Sequence, residues 1–504
     1  MMPADSPAAR LAALYDPEFV RAAGHRLADL LTEHFRKVQN RETPVLNWRH
    51  PAENVADAGS YLDAATALPT ACDADAVGER FAELVRTALS RGQNLHSPRY
   101  VGHQVPPPVP IAGLFDAVSS ATNQPMAIYE MGPWATAIET ALIERLGARL
   151  GYPEGTFAGF ITHGGSIANL TALLTARNVA LDDAWEAGLT QRRPAPVLVA
   201  HAEAHYCISR AAGILGLGTR QIVKPPLDDR RRMDPHALDA ALTDLRRSGT
   251  PIIAVAASAC ATPIGAFDPL DSIADVCEKH GVWLHVDAAH GGSAIFSERH
   301  RHLLAGIERA DSVVWDAHKM MHVPALCTFV FYRNREHRFE AFRQEAPYLF
   351  DPSDPGLAEY DSGLKTLECT KRGAAFGLWG LWSLFGESIF GDLVDATFDL
   401  ARTFYEKLSA ADDFVPLHEP QCNILAFRHV PVELRNVPGD VVGRFQLELR
   451  KEIVRSGSFY IVPTSRDGVP ALRCTVMNPL TTPADLDALM NELRACGQAL
   501  ISAK

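Results

Sequence analysis

The run 311-DSVVWDAHKMMHVP-324 sets three ionisable side chains, Asp316, His318 and Lys319, directly after the apolar residues Val313, Val314 and Trp315. A lysine at the end of a core strand costs desolvation unless it is paired or neutral, and a depressed pKa makes it a nucleophile toward carbonyls. A stem on the core with its head in solvent is the plainer reading. Two other polar clusters also follow apolar runs. In 282-VWLHVDAAHGGS-293, Asp287 is either a cap or the partner of a buried cation, and Ala288 and Ala289 are small enough for a flat ring to lie against. In 159-GFITHGGSIANLTALLTAR-177, Gly164, Gly165 and Ser166 stand where a strand gives way to a helix. The free N–H groups of a helix start bind anions, and two glycines let a phosphate approach the backbone closely. The same residues also suit an ordinary helix cap, and no Gly-Lys-Ser/Thr follows that would make a nucleotide-binding loop.

Such clusters need a frame that brings them together. From about residue 135 to 335 the pattern alternates helices with short apolar strands. Strands are expected near 158–162, 196–200, 221–224, 252–257, 282–286, 312–315 and 326–332, with helices near 135–150, 166–187, 207–216, 235–247 and 270–280. That alternation predicts a mainly parallel sheet covered on both faces. Ligands of such sheets bind beyond the carboxyl ends of the strands, and each cluster follows a strand. Before this region, Leu27, Leu30, Leu31, Phe35 and Val38 mark a helix over 17–40. The proline-dense 96-HSPRYVGHQVPPPVP-110 reads as an ordered loop. After it come a long helix over 373–409 and mixed elements to the end, expected to form a second, smaller α/β domain.

An anion cradle, an acid and a lysine, each following a strand of one sheet, are what pyridoxal phosphate requires: the phosphate at the helix start, the acid at the pyridine nitrogen, the lysine on the aldehyde. The sequence resembles the group II pyridoxal-phosphate-dependent amino-acid decarboxylases, which include the glutamate, cysteine-sulfinate, aromatic amino-acid and 2,4-diaminobutyrate enzymes. The resemblance runs from about residue 17 to the C-terminus and rests on HVDAAHGG, 318-HKMMHVPALC-327 and 473-RCTVMNP-479. The HKMM form is most similar to the glutamate and cysteine-sulfinate branch. By resemblance, Lys319 is the lysine that attaches the cofactor and His318 its neighbour at the phosphate. Asp287 is the partner of the pyridine nitrogen, Ala289 packs on the ring, and His205 stacks on the other face. Read alone, His205 is a core or capping histidine. Gly164, Gly165 and Ser166 match the phosphate turn, and Thr262 a threonine near the ring. Arg473 matches an arginine that binds a substrate carboxylate, and Gln104 a glutamine near the substrate pocket. Tyr360, in 356-GLAEYDSGL-364, falls near the catalytic-loop tyrosine.

Three departures stand out. Cys260-Ala261-Thr262 replaces the usual Gly-Thr-Thr. Asp316 stands where Asn or Ser is usual; it brings a negative charge near a phosphate, is read as pointing away or capping a turn, and is not assigned as a ligand. His163 stands where a small residue is common, and its ring is expected to reach the cofactor or substrate. The resemblance implies a type I pyridoxal-phosphate fold with a mainly parallel seven-stranded sheet. It divides the chain into an N-terminal helical arm (1–95), a large cofactor-binding domain (96–375) and a small C-terminal α/β domain (376–504). It also implies a homodimer with exchanged arms and the site at the subunit interface. The expected activity is α-decarboxylation of an amino acid to CO2 and an amine. Transamination, oxidative aldehyde formation and a non-catalytic cofactor-binding protein are the alternatives.

Composition agrees. A chain of 504 residues allows two or three domains. A formal charge of −12 argues against a nucleic-acid surface, and the one basic cluster, Arg230 to Arg232, lies beside Asp228, Asp229 and Asp234. The nine cysteines contain no Cys-x-x-Cys pair, so no disulfide framework or zinc site is expected. The opening MMPADSPAAR has no apolar signal core and no segment matches a membrane span. A cytoplasmic protein is expected.

Overall fold

The seven apolar runs become seven strands of one sheet in the computed structural model, which describes residues 6–63, 74–343, 356 and 359–503. They are β1 (Ala158–Thr162), β2 (Val197–Ala200), β3 (Ile222–Val223), β4 (Ile252–Ala261), β5 (Trp283–Asp287), β6 (Ser312–Asp316) and β7 (Thr328–Tyr332), in the spatial order β1-β7-β6-β5-β4-β2-β3. A two-residue strand, Ala266–Phe267, adds to β4 off this path. All ten residues of β4 are buried, as expected where both faces of a sheet are covered. Alternate side chains serve two cores. Val313, Trp315, Phe329 and Phe331 pack into one, and Val314, Val330 and Tyr332 into the other.

Strand direction decides where the polar clusters emerge. From β6 through β5, β4 and β2 to β3 every pairing is parallel. β7 is antiparallel to both β6 and β1, which gives β1 the direction of β6. Thr328 pairs with Thr162 on one side and Asp316 on the other, so those two strand ends lie level. The glycine turn after Thr162, Asp287 at the end of β5 and Asp316 at the end of β6 therefore share the carboxyl edge of the sheet.

The chain divides into two compact units. One comprises His103–Arg428 with Arg473–Pro479, and holds the sheet. The other comprises the described residues of Met1–Gly102, His429–Leu472 and Leu480–Lys504, with helices Pro17–Gln39, Ala74–Arg91, Gly439–Ser456 and Pro483–Ser502. In that second unit a capping box at Thr482 and Asp485 opens the last helix, and Asp485 also holds the Arg41 guanidinium with both contacts at 2.6 Å. The single long helix expected over 373–409 is two, Phe376–Phe385 and Ser388–Ser409. Gly386, at φ +77°, ends the first, a conformation that glycine adopts without a Cβ penalty. The proline-dense loop ends where expected, and Pro110 opens a helix that the sequence reading does not include, Pro110–Thr122.

A buried ion pair fixes β1 to its neighbours. The Lys371 ammonium lies 2.6 and 2.9 Å from the two carboxylate oxygens of Glu139 and 2.6 Å from the Ile161 carbonyl. Glu139, on helix α1 (Pro133–Arg149), accepts in turn from the Ile161 N–H at 3.0 Å. Removing one partner of a buried pair strands the other charge. Lys371→Met should lower the unfolding free energy by about 3–5 kcal/mol, read from urea denaturation; a change within experimental error would show that Glu139 is neutral or solvated in the native protein.

Candidate active site

Helix α2 (Gly165–Ala180) starts where β1 ends. Gly164 precedes it at φ +104°, a backbone that side chains rarely adopt. A Cβ on Gly165 would meet the Asp316 carboxylate at 3.3 Å, so the turn runs close against the end of β6. A directed chain of hydrogen bonds holds this turn from inside the sheet. The Trp283 indole N–H donates to the Ser312 hydroxyl, which donates to Nδ1 of His285. Nε2–H of His285 donates to Oδ1 of Asn169, whose Nδ2 donates to the Gly165 carbonyl. The tautomer is fixed because the Gly165 carbonyl can only accept, which turns Oδ1 of Asn169 to His285 and requires the proton on Nε2. Burial drives the His285 pKa down to about 3, which keeps this neutral form.

A cavity of about 200 Å³ opens on the turn and is lined by Gln104, Gly165, Ser166, His205, Thr262, Asp287, Ala289, His318 and Lys319 among the expected residues. Asn169, Cys207, Cys260, His290 and Asp316 line it as well. Asp316 does not point away. Its Oδ2 lies 3.0 Å from the Lys319 ammonium, and its Oδ1 accepts from the Thr328 hydroxyl at 2.6 Å. The Lys319 side chain is about one-fifth exposed and the Asp316 side chain almost wholly buried, with 21% and 2% of their surfaces accessible. Burial alone pushes the Lys319 pKa down, but Asp316 and Asp287 outweigh it and the net shift is upward. Burial raises Asp316 too, yet Lys319, His318 and Thr328 bring it below the usual carboxylate range. Asp287 is shifted up by burial, against the pull of Lys319, and accepts from the Ala289 N–H at 3.2 Å. One acid therefore holds the ammonium, while the second keeps capacity for a different cation.

His205 caps helix α3 (Tyr206–Ile214) by accepting from the Cys207 N–H at 3.4 Å. Burial, then Lys319, depress its pKa to about 4. His318 stands with Nδ1 against both backbone groups of Cys327, at 3.0 Å from the carbonyl and 3.2 Å from the N–H. Arg473 is buried and donates from Nη1 to the Thr262 carbonyl at 2.8 Å, which puts its guanidinium one residue's backbone from the cavity wall.

Two expected residues lie elsewhere. His163 turns its Nδ1 to the Glu368 carboxylate, 3.2 Å away, and does not line this cavity. Tyr360 is exposed, packs edgewise near Tyr129, and lines a separate cleft with Glu359 and Lys365. The segment 344–355 before it lies outside the described residues. Lys365, which the sequence did not single out, is buried with its pKa pushed down to about 8, and its ammonium donates to the Glu359 carbonyl.

The model of the pyridoxal-dependent decarboxylase conserved domain matches residues 82–430. The chain belongs to the pyridoxal-dependent decarboxylase family. It is 33% identical over 388 residues to the acidic amino acid decarboxylase GADL1 of Mus musculus, spanning 76% of this chain and 70% of the relative. The Homo sapiens protein of the same name is 32% identical, over 76% and 74%. The structure of mouse CSAD superposes with a TM-score of 0.84 at 29% identity, over 95% of this chain and 99% of that one. A rice TDC crystallised with PLP and tryptamine has the same TM-score at 21% identity, which speaks for the fold alone. The protein is thus a pyridoxal-phosphate-dependent amino-acid decarboxylase of type I fold. The cavity fits that cofactor: a glycine helix start open to a phosphate, a lysine ammonium beside it, and an acid with a raised pKa at the next strand end. Among the described residues no helix is long and apolar enough to cross a membrane.

Proposed function

We propose that this decarboxylase acts on an acidic amino acid, releasing CO2 and the corresponding amine, with Lys319 as the residue that carries the cofactor. The observation behind it is the Lys319 ammonium at 3.0 Å from Asp316, in the cavity that Asp287 and the Gly165–Ser166 turn also line. The helix start at Gly164, Gly165 and Ser166 binds the phosphate, helped by His318. Asp287 pairs with the ring nitrogen and keeps it protonated, its raised pKa meeting a cation of fixed position. Ala289 and His205 flank the ring, and Thr262 sits at its edge. The bound cofactor supplies an electron sink for the bond between Cα and the carboxylate. Arg473 orients a substrate carboxylate, and Gln104 bounds the substrate space. Asp316 holds the lysine in its protonated form until the cofactor arrives. His163 acts through Glu368 at the rim.

Tyr360 is proposed to hand its hydroxyl proton to the substrate Cα after CO2 leaves. It lines a cleft apart from Lys319, so the proposal carries a homodimer in which each chain's segment serves the other's cavity. Seven large apolar side chains between Leu11 and Leu62 are exposed (Leu11, Leu14, Tyr15, Val20, Trp48, Val55 and Leu62), which supports an arm that packs on a second copy. We assign 1–95 to that arm, 96–375 to cofactor binding and 376–504 to a small domain, in a cytoplasmic protein. The acidic substrate is supported by the similarity to decarboxylases of that class and by the buried guanidinium of Arg473.

A panel of amino acids assayed for CO2 release tests the substrate. Aspartate, glutamate or cysteine sulfinate should exceed tyrosine, tryptophan and 2,4-diaminobutyrate by about 10²-fold or more in kcat/KM, the scale expected when a buried polar partner is left unmatched. A preference for an aromatic or basic amino acid would overturn it. Tyr360→Phe should lower amine formation by about 10²–10⁴-fold, the usual contribution of a general acid, while CO2 release falls less and aldehyde appears. An unchanged ratio of amine to aldehyde would assign the proton to another group, His205 first.

A further inference from the structure

We propose that Cys260, Cys422 and His290 form a binding site for one thiophilic divalent cation, zinc being the representative of that class. Cys260 Sγ and Cys422 Sγ lie 3.9 Å apart. The two sulfurs and a ring nitrogen of His290 all fall within 4.8 Å of one another. A tetrahedral zinc with bonds of about 2.3 Å to each sulfur separates them by about 3.8 Å, so the pair needs almost no movement. All three residues are buried, with 8%, 2% and 3% of their surfaces exposed.

The histidine is prepared as a ligand. The Asn423 amide donates from Nδ2 to the Val476 carbonyl at 3.1 Å, which turns its Oδ1 toward His290. Nε2–H of His290 donates to that oxygen at 2.8 Å, leaving Nδ1 as the bare nitrogen. This Nδ1 is buried and has no hydrogen-bond partner among the described residues. A ligating imidazole bound through its other nitrogen to an amide or carbonyl is the arrangement that fixes tautomer and ring orientation in metal sites. An orphaned buried nitrogen is unfavourable, and a metal would relieve it.

The spacing escaped the sequence because the ligands come from three distant segments: the end of β4, the turn after β5, and the residue two before the strand Ile424–His429. Cys260 and His290 also line the cavity that holds Lys319. The fourth coordination position is thereby left to water or to a group inside that cavity, the pattern of an open rather than a closed zinc site. Binding converts two thiols to thiolates: each Sγ gains a bond to the metal and gives its proton to the buffer, while neutral His290 gives none.

The test uses the cofactor-loaded enzyme, reduced, stripped with a chelator and dialysed. Titration with Zn2+ by calorimetry in two buffers, with elemental analysis, should find one zinc per chain and release of about two protons. Cys422→Ser and His290→Asn, each checked for retained cofactor absorbance and circular dichroism, should weaken binding at least about 10-fold, since even residues that only support a ligand are worth that much. Co2+ in place of zinc should show the visible bands of a tetrahedral, sulfur-bound ion, and Cys422→Ser should lose them. Wild-type enzyme that retains no zinc overturns the proposal whatever the variants do. So does zinc that binds Cys422→Ser as tightly as wild type, or binds without proton release.

Discussion

A lysine ammonium paired with one carboxylate, in a cavity that a second carboxylate also lines, at the carboxyl edge of a parallel sheet is the constraint on which the site depends. Lys319 follows β6 by three residues and its charge is met by Asp316 at 3.0 Å. Taking that ammonium out of water without a counter-charge would cost several kcal/mol. Asp316 comes from the end of the lysine's own strand, and because β5 and β6 run parallel Asp287 reaches the same edge. Reversing β5 would put Asp287 at the far end of the sheet and leave Asp316 as the one acid at this edge. The helix start at Gly165 completes the charge arrangement, since its free N–H groups prefer an anion.

Rigidity of that edge comes from neutral groups. The chain from Trp283 through Ser312, His285 and Asn169 to the Gly165 carbonyl crosses from β5 to helix α2 without a formal charge. Every polar atom in it has one donor–acceptor arrangement, so the turn is held in one geometry. The Glu139–Lys371 pair does the same for β1 from the other side, through the Ile161 backbone. Catalysis by positioned charges needs this kind of pre-set geometry.

Much of the frame was legible in the sequence, because all seven strands are short apolar runs whose two-residue period feeds two cores. What the sequence hid follows from the same physics. The break at Gly386 looks like one helix continuing, since a single glycine interrupts an otherwise good periodicity. Asp316 reads as turned away from an anion or capping a turn, yet its nearest charge is the lysine three residues on, and an acid is favourable there. His163 reads as a site residue by neighbourhood alone, but Glu368, about two hundred residues later, captures it. Asn169 carries no motif; its signal is only its place four residues after Gly165, one helical turn along, where a side chain can reach back to that carbonyl.

Two lysines, Lys319 and Lys365, compete for the central role. Lys365 has a depressed pKa, near 8, and so suits a nucleophile by charge state, whereas Lys319 is held protonated beside two acids. The decision rests on geometry: the glycine helix start, Asp287 and His205 surround Lys319, while Lys365 lines the cleft of Tyr360. Borohydride reduction of the cofactor-loaded enzyme, followed by proteolysis and mass spectrometry, decides between them. The cofactor fixed to the peptide that contains Lys319 is the result this account predicts. Its recovery on Lys365, or on any other lysine, would contradict it.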